Sequence, residues 1–136
     1  MGAIIKASCA YSGIVFVAGF ILGVLRILAV APLVGELGAV LIELPIILAI
    51  SWIACGAIIG RYAIPARWQD RARMGAFAFI LLIAAEFCLS LSLGRSADTF
   101  LAGLIGPAGA IGLIGQLAFA LFPLLQSSVM PRYRRP

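Results

Sequence analysis

The chain has 136 residues, 64% of them hydrophobic and 11% charged, against roughly 45–50% and about 25% in soluble domains. That balance leaves no polar helix faces to cover a water-soluble core, and apolar runs fill nearly the whole length, which excludes a separate soluble catalytic domain. Histidine is absent and the formal charge is +5: the first lowers the case for an enzyme, and the second does not point to nucleic acid, because the basic residues sit at the ends of apolar runs instead of forming a stripe.

The first apolar run extends from Ala7 to Ala31 and is expected to stop at Pro32, with Gly35 as turn chemistry just beyond. It is too long for a signal peptide and leads directly into a second run, so it reads as a retained membrane span. The second run, residues 34–60, contains Pro45, where a kink is expected. The polar stretch 61–73 follows and reads as an interfacial loop, with Tyr62 and Trp68 suited to the headgroup layer. A third span is expected over 74–93 and a short turn over 94–99, where Asp98 or Thr99 would cap the next helix. The fourth span, 101–125, contains Gly106-Pro107, so its spanning part is expected to start near Ala108 after a short helical entry. Cys9, Cys55 and Cys88 lack the spacing of redox or zinc sites and read as buried free thiols.

These elements give an all-α, single-domain integral membrane protein: a four-helix transmembrane bundle over residues 1–136. Lys6, Arg61, Arg67, Arg71, Arg73, Arg132, Arg134 and Arg135 fall on one side of the spans and Arg95 on the other. Cytoplasmic loops are enriched in Lys and Arg, so both termini are expected in the cytoplasm. The basic loop and tail favour anionic lipid headgroups.

Arg26, Glu43 and Glu86 are ionisable groups inside apolar spans, where a charge costs several kcal/mol or more and needs a partner. With a rise of 1.5 Å per residue, they lie about 7, 13 and 12 Å below the outer ends of their spans, which points to one shared cluster. Glu36 is seven residues from Glu43 on the same face and marks an entry path from the outer side. Two readings stay open. One is a buried ion pair orienting three helices, with the second glutamate neutral or paired to Arg95. The other starts from the fact that one arginine cannot neutralise two carboxylates, so one of them is free to take up a proton, as proton-coupled transport requires.

Gly19/Gly23 and Gly56/Gly60 each form a G-x-x-x-G, and Gly103, Gly106, Gly109, Gly112 and Gly115 recur every third residue. Close helix packing is the expected use of all three sets. Gln116, and Ser51 with Trp52, are expected to hydrogen-bond across the bundle.

The series Gly19-x-x-x-Gly23-x-x-Arg26, Pro32-x-x-Gly35 and Glu43-Leu44-Pro45, with the later Gly109-x-x-Gly112-x-x-Gly115-Gln116 and Phe122-Pro123, resembles a group of small four-span bacterial inner-membrane proteins of unassigned activity. The resemblance implies a multi-pass protein of that membrane and nothing catalytic. Two functions follow as expectations. The first is a non-enzymatic accessory subunit or self-associating bundle, partnered by lipid and by further copies or a larger membrane complex. The alternative is a small proton-coupled transporter or channel using Glu43 and Glu86. Neither implies a metal or other cofactor.

Overall fold

A computed structural model describes residues 1–129, all of whose regular structure is helical. The chain runs through α1 (Gly2–Leu25), a π-helical segment (Arg26–Val30), α2 (Ala31–Arg61), α3 (Trp68–Ser92), α4 (Ala97–Ile105) and α5 (Pro107–Val129). Three helical stretches are long and apolar enough to cross a membrane: Gly2–Arg61, Trp68–Ser92 and Pro107–Ser128. The helical class and the membrane character agree with the composition. Arg132, Arg134 and Arg135 of the basic tail lie outside the described residues.

The stretch Gly2–Arg61 is not one rod. At 1.5 Å per residue its 60 residues would reach about 90 Å, some three times the hydrocarbon thickness, yet α1 packs against α2. The reversal falls at Gly35, whose φ of 81° and ψ of 167° lie in a region that essentially only glycine enters. From there the helices run antiparallel: as α1 is followed back from Arg26 to Gly19, the partner on α2 advances from Glu43 to Ile47.

Pro32 does not end the first helix, contrary to expectation. Its ring would press on the carbonyl one turn earlier, and the wider π turn just before it, in which the Ala31 N–H reaches the Arg26 carbonyl, carries the helix past. Pro45 lies within helical backbone, and Gly35 is the single non-helical residue inside α2.

Helix α3 begins six residues earlier than expected, at Trp68, which shortens the predicted interfacial loop to residues 62–67. Arg71 accounts for the difference. Instead of lying in that loop it is 5% exposed, and its guanidinium donates to the carbonyls of Pro65 (2.9 Å) and Ile64 (3.2 Å), closing the connection onto the first turn of α3. Tyr62 likewise packs on the core instead of reaching outward, whereas Trp68 is exposed.

The N-cap of α4 is Ser96, not Asp98 or Thr99: its hydroxyl accepts from the Thr99 N–H at 3.2 Å, satisfying a donor the first turn leaves open. Gly106, in extended conformation, separates α4 from α5, and Pro107 starts α5 where a missing N–H costs nothing. The break at Gly106-Pro107 matches the expected short entry helix.

The core gathers at one end of the molecule. Ile4, Ala7, Tyr11 and Val15 of α1 meet Cys55, Ile58 and Ile59 of α2, Met74, Ala78 and Leu82 of α3, and Phe119 of α5. The Tyr11 and Phe119 rings stack at 4.3 Å, and the Tyr11 hydroxyl donates to the Phe119 carbonyl at 2.9 Å. Ser8 donates to Met74 O at 3.1 Å, and Gln126 to Trp52 O at 2.8 Å. Such bonds to backbone carbonyls hold helices together where burial of apolar surface gives little preference for protein over lipid. Gly75 abuts the backbone carbonyl of Ala120, leaving no room for a Cβ. α3 and α5 therefore touch backbone to backbone.

Candidate functional site

Beyond the Tyr11–Phe119 layer the helices part around a cavity of about 550 Å³, within the usual range of about 300–1,000 Å³ for small-molecule sites. Its lining on α2 runs from Glu36 to Ser51, about 22 Å of helix. One extreme reaches the exposed residues Glu36, Arg95 and Thr99; the other ends on buried Ser51 and Phe119. The cavity thus has an open mouth and a floor made by the core. Helix α4 borders the mouth through Thr99, Phe100, Gly103 and Leu104, and Phe100 meets Phe87 of α3 edge to face at 5.2 Å.

All four ionisable residues singled out from the sequence line this cavity: Arg26, Glu36, Glu43 and Glu86. Among the described residues their contacts fall into two sets. Arg26 Nη1 lies 3.3 Å from Glu43 Oε2, with side chains 32% and 17% exposed, a pair set at matched distances on either side of the Gly35 reversal. Arg26 is the first residue of the π segment, a local widening of the helix that recurs at functional sites.

Glu86 is held instead by Gln116 of α5, whose Nε2 donates to Glu86 Oε2 at 2.6 Å. Among the described residues no cation comes within ion-pair distance of Glu86, Arg95 included. Both glutamates line the cavity, but a depth read from sequence gives height and not direction around the bundle. A glutamine can serve both forms of a carboxyl group, since its amide N–H bonds a carboxylate and its carbonyl accepts from a carboxylic acid. Among the described residues Gln116 Oε1 is buried without a hydrogen-bond partner, as are the hydroxyl of Ser90, one turn beyond Glu86 on the same face of α3, and Glu43 Oε2, which Arg26 meets at ion-pair distance without a hydrogen bond.

The glycine sets divide by place. Gly115 packs as expected, since a Cβ there would come within 2.6 Å of Leu44 Cδ1, and Gly109 sits against Gly103 O across the α4–α5 break. Gly19 makes ordinary contact with Ile47, whereas Gly23, Gly60 and Gly112 have nothing within 4 Å of the Cβ position. Gly23 and Gly112 line the cavity, so they serve space and not helix contact. For the G-x-x-x-G of α2, no contact is made at Gly60 among the described residues. Gly75, whose Cβ position is filled by the Ala120 carbonyl of α5, belongs to no repeat and carries no sequence signal.

The cysteines correct a further expectation: only Cys55 is buried, while Cys9 and Cys88 are exposed. Ser51 is buried beside the cavity, and the Trp52 backbone accepts from Gln126 while its ring meets Phe122 edge to face at 5.2 Å. Among the described residues no group of three His, Cys, Asp or Glu side chains is placed to hold a metal ion. No family model matches the chain, and no curated protein or solved structure is detectably similar to it.

Proposed function

We propose that this chain is a four-span protein of the bacterial inner membrane, α1, α2, α3 and α5 being the spans, and that it works as a small proton-coupled carrier using Glu86 and Glu43. The observation that carries the reading is the 550 Å³ cavity, whose lining runs from the exposed Glu36 and Arg95 to Glu43 and Glu86. A transport site needs a route to at least one surface; a purely structural ion pair does not. Folding back at Gly35 turns the 60-residue apolar stretch into two spans, and the excess of Lys and Arg at the core end supports placing both termini in the cytoplasm. The cavity then opens to the outer side, and the Tyr11–Phe119 layer closes the inner one.

In this mechanism Glu86 exchanges a proton with the outer solution through the mouth, with Gln116 as its partner in both forms. Arg26 is kept away from Glu86 by Glu43. The charged groups that share the cavity with Glu86 are Arg26 from the π segment, Glu36 and Glu43 from α2, and Arg95 from the turn after α3. The competing reading, a self-associating bundle or accessory subunit, draws support from the Arg26–Glu43 pair alone.

Vesicles containing the purified protein are expected to show proton movement, or solute uptake driven by a pH gradient. Glu86→Gln should abolish it by removing the titrating group, and Glu43→Gln by releasing Arg26 toward Glu86. Folded protein without any such flux would return the assignment to the structural bundle. In a cysteine-free background, an outside label should reach a cysteine placed at Ser96 and not one at Gln69; the reverse pattern overturns the orientation.

A further inference from the structure

Resting on the carrier reading above, we propose that the cavity takes up an amphipathic ammonium ion, a protonated amine on an aromatic or alkyl body, with its charged group among Glu86, Ser90 and Gln116. Charge comes first. Of the five charged residues lining the cavity, Arg26 and Glu43 occupy each other, and Glu36 and Arg95 are exposed at the mouth. Glu86 is the deep charge left without a counter-ion. An anionic solute would meet it like to like, and a neutral one would leave it uncompensated.

Hydrogen-bonding capacity narrows the chemistry further. Gln116 spends an N–H on Glu86, which leaves its Oε1 buried with no donor; the Ser90 hydroxyl, on a residue 8% exposed, is likewise unpartnered. Two unpartnered oxygens therefore lie within about one helical turn of the Glu86 carboxylate, and the three together suit N–H donors that carry a positive charge. An ammonium group brings three donors and accepts nothing, and its bonds to a carboxylate are of the stronger, charge-assisted kind. A bare metal ion would make no use of the walls above and below, where Phe16, Phe20, Leu82 and Phe119 face the same space. Those walls suit an apolar body attached to the charge.

The test uses the full chain in lipid nanodiscs and three probes of similar size: 2-phenylethylammonium, neutral 2-phenylethanol and anionic 3-phenylpropionate, titrated calorimetrically. The ammonium probe should bind saturably and the other two at least about tenfold more weakly. Glu86→Gln should weaken ammonium binding by about tenfold or more, and Ser90→Ala by roughly threefold to fivefold. Because Glu86→Gln can perturb folding, Gly23→Leu provides a second arm: it adds a side chain where a Cβ meets nothing within 4 Å and should block binding while the melting temperature holds. Equal binding of 3-phenylpropionate, ammonium binding indifferent to Glu86→Gln, or no ammonium binding by folded protein would overturn the proposal. Absence of ammonium binding alongside Glu86-dependent proton movement in vesicles sinks the solute assignment and leaves the carrier standing. Binding with the predicted pattern but without flux does the reverse.

Discussion

The two ends of this molecule are built from the same apolar alphabet and pack in opposite ways. At the core end a tyrosine, a phenylalanine and several small residues bring four helices into contact, α3 and α5 so closely that Gly75 touches the Ala120 backbone. At the other end Gly23 of α1 and Gly112 of α5 have nothing against them, and the space they border is lined by Arg26, Glu43 and Glu86. Glycine therefore has two uses within one chain, to let backbones touch and to keep them from filling a hollow. Which use applies at a given position depends on what stands opposite it, so substitutions at matched residues in the two halves should differ in sign as well as size.

The largest loss should come from the closed end. Phe119→Ala removes the stacked partner of Tyr11 and opens a void, at a cost of about 3–5 kcal/mol, read as a fall in melting temperature in detergent. A stability unchanged by this substitution would dissolve the contrast between the halves. Next is Gly75→Ala, where a single methyl group meets a backbone carbonyl; about 2–3 kcal/mol is expected, as for overpacking elsewhere. Breaking the ion pair should matter less. A fully buried pair that loses one partner costs about 3–5 kcal/mol, but Arg26 is 32% exposed, so Arg26→Ala is expected to cost only about 1–2 kcal/mol. The double change Arg26→Leu with Glu43→Leu should recover much of that, and an additive double loss would count against the pairing.

The smallest effect sharpens the comparison most. Gly23→Ala and Gly112→Ala place a methyl group in open space on a helix, so they should be neutral or stabilising by up to about 1 kcal/mol, opposite in sign to Gly75→Ala. A loss of more than 1 kcal/mol at either position would mean that the hollow is closed in the folded protein.

The helices, the Gly35 reversal and the break before α5 were legible because each leaves a local mark: a long apolar run, a glycine between runs, a Gly-Pro step. That Arg26 needs a carboxylate partner was legible from its place in an apolar run; which glutamate supplies it was not, and the structure pairs it with Glu43. Other features left no such mark. A soluble helix shows which face is buried by its polar stripe, whereas in lipid the outward face is as apolar as the inward one. Cys9 and Cys88 therefore read as buried and are exposed, and nothing in the sequence says that Glu86, grouped there with Arg26 and Glu43, takes its hydrogen bond from Gln116 of α5. Arg71 was hidden differently: it lies within a run of surface arginines, and only the path of the 62–67 connection shows that this one turns inward to bind two carbonyls. Gly75 stands alone in its helix, with no spacing to flag it.

The single-residue reversal at Gly35 also bears on how the chain is made. Because Arg26 and Glu43 stand nearly equidistant from it, the first two helices can bring their charges together before any later helix has been synthesised. A segment that enters the bilayer as a closed hairpin carries a neutralised pair through hydrocarbon, where either ion alone would be costly. Biogenesis of the first 61 residues would then not depend on α3 or α5, while Glu86, with no cation to travel with, would have to wait for Gln116 to arrive.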